Sequence, residues 1–111
     1  MANVDVAATT RFAEVEVGGL PREMGRQFGE ATRDRFPGLL DHVMMRLNQY
    51  RTQPVTLDSA LATAGRFFPF VEEYSTDSAE ELRGIAEGAG VPPEAVMLIN
   101  ERNEVPTALA P

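Results

Sequence analysis

The chain has 111 residues, and its 17 acidic and 10 basic side chains give it a net charge of −7. A chain of this length forms one domain with a modest core. Its 43% hydrophobic and 24% charged residues are close to the globular average, which excludes a disordered or fibrous protein. The negative charge repels a phosphate backbone, so we expect no nucleic-acid partner.

The side-chain inventory excludes several kinds of catalysis. All ten basic residues are Arg, there is no Cys, and His42 is the single His. Lysine Schiff bases, thiol nucleophiles within this chain and His-based zinc centres are therefore ruled out. Residues 1–10 contain neither a basic leader nor a long apolar run, so we expect a flexible N-terminus, no membrane segment and a cytoplasmic location.

The first half of the chain predicts a strand followed by a helix. Phe12–Val17 alternates between apolar and acidic residues, which is typical of a half-buried strand, and Gly18–Gly19 ends it. Apolar residues then recur every three or four positions from Pro21 to Leu47, which predicts an amphipathic helix. Pro37 should kink or split that helix, because a proline inside a helix removes a hydrogen bond.

Further helices are predicted in the second half. Thr56 is a candidate cap for a helix over 57–68, which Pro69 limits. Asp77–Glu80 has the pattern of a capping box, and the helix that it opens should end at Gly88–Gly90.

The C-terminal region predicts a short helix, a strand and a tail. The helix covers 95–99, the alternating Asn100–Val105 is a candidate strand, and 106–111 has the composition of a flexible tail. The fold class is thus α+β, mostly helical with one or two strands. Two separated strands need more partners, so we expect residues 1–111 to be a single segment of a larger α+β body.

Three sets of residues have a structural and a functional interpretation. Glycines one helical turn apart, at 25 and 29 and at 84 and 88, predict close helix packing. The functional alternative for the glycines is a phosphate-binding loop, and residues 18–21 match such a loop only loosely. The pairs Glu72–Glu73 and Glu80–Glu81 are interpreted as solvated faces and cap partners. A third set is predicted as core, with an acyl-pocket wall as the alternative; it comprises Met24, Phe28, Met44, Met45, Phe67, Phe68, Phe70 and Tyr74.

Three segments together resemble a known family. They are Gly19-Leu-Pro-Arg-Glu-Met-Gly-Arg-Gln-Phe-Gly29, Glu81-Leu-Arg-Gly-Ile-Ala-Glu-Gly-Ala-Gly90, and Pro93-Glu-Ala-Val-Met-Leu98 followed by Asn100-x-Arg102-x-Glu104. The pattern resembles the acyl-coenzyme A:6-aminopenicillanic acid acyltransferase family over about 18–104. That resemblance implies an N-terminal nucleophile hydrolase, whose precursor cuts itself before a Cys. This chain resembles the α chain, which would complete an αββα sandwich with a β chain from the same precursor.

The resemblance also implies the chemistry and the partners. No catalytic residue is expected in this chain, because the nucleophile would be the N-terminal Cys of the β chain. The substrate would be a small non-peptide amide or thioester, such as an acyl-CoA, in secondary metabolism, with no metal or organic cofactor. Several heterodimers could assemble. The alternatives are a non-catalytic helical interaction module and a self-contained acid/base enzyme that uses His42 and the Glu pairs.

Asn100, Arg102 and Glu104 are the candidate residues for substrate binding or processing. On a strand they would share one face, where Arg102 or Asn100 could bind a substrate carboxylate or position the scissile peptide. The structural alternative is an ion pair between Arg102 and Glu104 that anchors the segment. The chain departs from the family pattern at Val105, where an aromatic residue is expected, and after Pro111, beyond which the cut site would lie.

Overall fold

The computed structural model describes residues 17–109 of the protein, and in this range it consists of helices, turns and loops. A turn of 3-10 helix, Arg33–Arg35, connects the first two α-helices. The α-helices are α1 (Pro21–Ala31), α2 (Phe36–Asn48), α3 (Leu57–Gly65), α4 (Phe68–Tyr74), α5 (Thr76–Ala89), α6 (Pro93–Asn100) and α7 (Val105–Ala108).

Prolines set several of the helix boundaries. The predicted split near Pro37 is confirmed, because α1 and α2 are separate helices and Pro37 lies in the first turn of α2. A proline is tolerated there, since its missing N–H has no partner in the first turn. The helix predicted over 57–68 ends earlier, at Gly65, and Pro69 lies in the first turn of a separate helix, α4.

Hydroxyl side chains cap α3 and α5. Thr56 caps α3 as predicted, and its hydroxyl accepts a hydrogen bond from the Ser59 amide at 3.2 Å. The prediction that α5 opens at Asp77 is wrong. Ser75 is the cap, and its hydroxyl accepts a hydrogen bond from the Ser78 amide at 3.1 Å. Asp77 lies instead in the first turn, where its charge is favourable to the helix dipole.

The turn between α5 and α6 follows the sequence prediction. α5 ends at Ala89, and the next residue, Gly90, has a φ of 72° in the left-handed region that glycine adopts without strain. The Val91 amide donates to the Ala86 carbonyl at 3.0 Å and so satisfies one of the last carbonyl groups of α5. The helix predicted over 95–99 is confirmed, with α6 beginning two residues earlier and ending one residue later.

The strand predicted over Asn100–Val105 is wrong. Asn100 is the last residue of α6, 101–104 form a turn, and Val105 is the first residue of α7. The Glu101 carbonyl accepts hydrogen bonds from the amides of Glu104 (2.8 Å) and Val105 (3.0 Å). Local bonds thus satisfy backbone groups that a strand would offer to a neighbouring strand.

The remaining predictions about the chain ends concern residues that are largely outside the described range. Residues 1–10 and 12–16 lie outside it, and Val17 is not part of a strand. Within the segment predicted as a tail, 106–108 belong to α7, and Leu109 packs against the core. The described range is therefore mostly helical, as predicted, and no sheet lies within it.

The core surrounds α6. This helix packs against α2, α3 and α5, and its Met97 and Leu98 are fully buried. Complete burial of such a side chain contributes about 1.5–3 kcal/mol. Ala60 and Ala64 of α3 are also fully buried, as is Val105 of α7. Among residues 17–109, no helix combines the length and apolar character needed to cross a bilayer.

Candidate functional site

α1 and α5 pack through two glycines on each helix, which confirms the predicted close packing. A Cβ atom at any of them would collide with the backbone of the opposite helix, closest to a carbonyl oxygen. The pairs of glycine and facing carbonyl are Gly25 with Glu81, Gly29 with Ile85, Gly84 with Arg22, and Gly88 with Arg26. Residue numbers rise together along both helices, so the helices are parallel.

Arg22 links the two helices beside the glycines. Its guanidinium lies 3.4 Å from the carboxylate of Glu80 and 3.6 Å from that of Glu87. Both carboxylates belong to α5, one turn to either side of Gly84. All three charged side chains are more than a third exposed, so these ion pairs contribute little to stability.

A second arginine, Arg26, pairs within α1. It forms ion pairs with Glu23 and Glu30, one turn away on either side. Hydrogen bonds from Arg26 and then from Gln27 lower the pKa of Glu23 from 4.5 to about 2. The Gln27 amide also holds the chain before α1, because it donates to the Gly18 carbonyl at 3.0 Å and accepts from the Gly18 amide at 3.1 Å.

Arg83 joins α4 to α5. Its guanidinium donates to Glu72 at 3.0 and 3.1 Å and to Glu80 at 3.2 Å, and it lies 5.1 Å from the centroid of the Phe68 ring. The hydrogen bond from Arg83 is the main cause that lowers the pKa of Glu72. A lowered pKa keeps this carboxyl ionised, which does not suit a general acid. Glu72 is thus a structural partner of Arg83.

A cleft of about 800 Å³ lies between α4, α5 and the end of α6, and we call it the aromatic cleft. One wall is formed by Phe67, Phe70, Val71 and Tyr74. The polar part of the lining consists of Ser75, Ser78, Glu81, Asn100 and Glu101. Five of the ten lining residues are aromatic or aliphatic and five are polar, so the cleft offers both apolar contact area and hydrogen-bonding groups to a small organic ligand.

The set predicted as core divides into buried and exposed members. Phe67, Phe68 and Met44 pack against the core while remaining partly accessible. The prediction is wrong for Phe70, which is 70% exposed, and for Tyr74, which is 85% exposed. Both lie on α4, a helix with no buried residue. They line the aromatic cleft. Phe28 and Met45 are also exposed, so the prediction is wrong for them as well, and Met24 is partly exposed.

The structure separates the three candidate residues for substrate binding or processing. Asn100 lies in the wall of the aromatic cleft, where its amide donates to Glu101 at 3.2 Å. Arg102 lines a different cleft and donates to the Ile99 carbonyl at 2.9 Å. Glu104 is exposed, and within residues 17–109 it forms no ion pair with Arg102. The turn at 101–104 causes this separation, because it points successive side chains in different directions.

Sequence reasoning missed two features of these clefts. Ser75 and Ser78 were not predicted to line the aromatic cleft, although the sequence placed them beside the start of a helix. The proximity of Arg102 to His42 and Arg46 was also missed. The spacing of His42 and Arg46 on a predicted helix places them on one face, but no local pattern connects that face with a residue more than fifty positions later.

Comparisons with known proteins leave the family open. No family model matches the chain, and none of the curated proteins matches it. Within the described residues, no three His, Asp or Glu side chains come together as a metal site would require.

Proposed function

We propose that this chain is the α subunit of a self-processed hydrolase or acyltransferase whose nucleophile is the N-terminal Cys of a β chain from the same precursor. In the proposed reaction, that thiol attacks the carbonyl carbon of a small amide or thioester. The free α-amine of the Cys takes the thiol proton. The amine or thiol leaving group departs with a proton, and water or an amine then releases the acyl group from the thioester.

The observation that carries the proposal is the contact between the segments of the resemblance. The segment 19–29 forms most of α1, 81–90 forms the second half of α5, and 93–98 lies in α6. α1 and α5 are held at backbone contact by their glycines, and α6 packs against α5. Residues that are far apart in the sequence thus belong to one body, as expected if the three segments are parts of a single inherited motif.

The aromatic cleft supports the proposed class of substrate. Phe70 and Tyr74 offer apolar rings to an acyl or aryl-acyl group, while Asn100, which belongs to the resemblance, offers an amide at the edge. Aromatic rings contribute large contact areas. The chain contains no Cys, so the thiol must come from the partner.

The test is to express the reading frame that encodes this chain and analyse the native product by intact mass and N-terminal sequencing. We expect two chains in equal amounts, the second beginning with Cys. Replacement of that Cys by Ala should leave the precursor uncut. An unprocessed product that contains no N-terminal Cys would overturn the proposal.

The substrate class is tested with two 4-nitroanilides, one aryl-acetyl and one acetyl. Phe70→Ala should raise KM about ten-fold for the aryl-acetyl compound and leave KM for the acetyl compound within two-fold, because the loss of a ring from a pocket costs a few kcal/mol at most. Phe28→Ala is the control, since Phe28 is also an exposed phenylalanine but lies on α1 and does not line the aromatic cleft.

A helical interaction module without catalysis is the second candidate, favoured by the exposure of Phe70 and Tyr74. Exposed aromatic rings are common where proteins associate. The mass analysis separates the two candidates. A lone 12.1 kDa species that melts cooperatively and has no acyl-transfer activity favours the module.

A further inference from the structure

A second cleft lies between α2 and the turn that follows α6, and we call it the basic cleft. It has a volume of about 480 Å³, which is within the range of small-molecule sites. Its polar lining consists of His42, Arg46, Arg102 and Asn103. Val43 and Leu47 form an apolar part of the same lining.

The α2 side of the cleft is held in place by the core. His42 and Arg46 are one turn apart and therefore share a face of the helix. Val43 and Leu47 have the same spacing, and they pack into or against the core. Because Val43 is only 4% exposed, α2 cannot rotate without losing this contact, and the orientation of the face that carries Arg46 is fixed.

The opposite side of the cleft is also ordered. Arg102 donates from Nη1 to the Ile99 carbonyl at 2.9 Å, which orients the guanidinium and leaves its other N–H groups available. The turn that carries Arg102 is closed by hydrogen bonds to the Glu101 carbonyl and is followed by the fully buried Val105. A cation that is oriented before binding loses less conformational entropy when a ligand arrives.

The arginines of this cleft differ from the ion-paired arginines of the protein. Arg22, Arg26 and Arg83 each contact two carboxylates. In the described part of the chain, neither Arg46 nor Arg102 forms an ion pair, and no carboxylate lines the cleft. The chain has 17 acidic residues against 10 basic ones. Even so, these two cations share a cleft that no carboxylate lines, and such a cleft suits an external anion.

We infer that the basic cleft binds the carboxylate of a small organic acid. Arg46 and Arg102 supply the positive charge, and a guanidinium offers two parallel N–H donors that match the two oxygens of a carboxylate. Asn103 offers a further amide donor. Leu47, which is only partly buried, contacts the apolar part of the acid, which inorganic phosphate lacks. The inference concerns binding by this chain's own side chains and does not depend on the proposed acyl transfer.

The test is to titrate a small anion into the full chain, together with any chain that purifies with it. Binding is monitored through the NMR signals of the arginine Nε–H groups. The probes are isobutyrate and, separately, inorganic phosphate. We expect saturable binding of isobutyrate, with shifts at Arg46 and Arg102, and binding of phosphate at least about ten-fold weaker. Arg46→Met and Arg102→Met should each raise Kd for isobutyrate about ten-fold, because each removes charge-assisted hydrogen bonds.

Arg66→Met is the matched control. Arg66 is exposed, forms no ion pair within residues 17–109 and does not line the basic cleft, so its replacement removes the same charge elsewhere. We expect the Kd of Arg66→Met for isobutyrate to stay within two-fold of the wild-type value. The inference is overturned if folded wild-type protein does not bind isobutyrate, if phosphate binds equally well, or if Arg66→Met weakens binding as much as the other two variants. Failure of the proposed processing would leave this binding result unchanged.

Discussion

The Cα atom of Gly84 on α5 faces the carbonyl oxygen of Arg22 on α1, with no room for a side chain between them. A Cβ atom on Gly84 would also lie 2.9 Å from the amide nitrogen of Arg26. The same relationship occurs at three other glycines of the two helices. This geometry allows Cα–H groups to contact carbonyl oxygens, a weak attraction that recurs at close helix interfaces.

Gly84→Ala should therefore destabilise the protein by about 3 kcal/mol, the upper part of the usual range for overpacking, because the obstructing atoms are backbone atoms that cannot rotate away. The measurement is urea unfolding. Gly38→Ala is the control, since a Cβ there would meet nothing within 4 Å. In that exposed helical position, alanine should stabilise the protein by about 0.5–1 kcal/mol. Equal effects of the two substitutions would contradict the close contact between α1 and α5.

The cap of α5 provides a second prediction. Ser75→Ala removes the hydroxyl that accepts from the Ser78 amide and should cost about 1 kcal/mol in urea unfolding. Ser75→Asp should restore most of that loss, because a carboxylate accepts the same bond. Asp77→Ala should cost less, since Asp77 acts only through the helix dipole. A larger loss for Asp77→Ala than for Ser75→Ala would show that the helix begins at the later position.

The comparison of Ser75 with Asp77 shows how far sequence patterns determine the fold. Helix existence followed from apolar spacing and from residues such as Pro37 and Gly90, whose backbone preferences act locally. The cap was displaced by two residues because Ser75 and Asp77 are both good capping residues. The packing of the core selects which of two neighbouring capping residues is used. A local sequence pattern carries no information about that packing.

The strand predicted at Asn100–Val105 failed for a related physical reason. Five of these six residues are polar and only Val105 is apolar, so the segment fits a turn followed by a helix as well as it fits a strand, and the burial of Val105 decides between them. The close packing at the four glycines was predictable, because small residues one helical turn apart most often serve to bring two helices together. The basic cleft was not, since it joins His42 and Arg46 with Arg102 through tertiary contacts alone.

The loop before α3 provides a third prediction. The Asn48 side chain donates to the Val55 carbonyl at 3.1 Å and accepts from the Val55 amide at 2.7 Å. The side chain of Asn48 thus satisfies both backbone polar groups of Val55. Asn48→Asp keeps an acceptor but loses the donor, which should cost about 1–2 kcal/mol.

Hydrogen exchange tests this arrangement locally. Asn48→Ala should increase exchange at the Val55 amide about ten-fold or more, since no acceptor remains. The amide of Ala60, which donates to the Thr56 carbonyl inside the capped start of α3, should change much less. If both amides lost protection equally, the effect would be a general loss of stability and not the release of this loop.

The ion pair between Glu72 and Arg83 makes stability depend on pH. The Arg83 hydrogen bond lowers the pKa of Glu72 below its usual 4.5, so the folded protein favours the ionised carboxylate. The resulting stabilisation is fully present above pH 4.5 and is lost as the pH falls through the folded-state pKa. Glu72→Gln should thus lower the urea midpoint at pH 7, and this difference from the wild type should shrink as the pH falls below 4.5.

Glu73→Gln is the matched control for this last prediction. Glu73 is the next residue on α4 and is exposed, and its side chain forms no hydrogen bond or ion pair within residues 17–109. Its replacement removes the same charge, so it separates the contact with Arg83 from the general effect of a less acidic chain. Arg83→Met should make Glu72→Gln nearly neutral, because the partner is already gone. A Glu72→Gln effect that persists in the Arg83→Met background would show that Glu72 stabilises the fold through some other group.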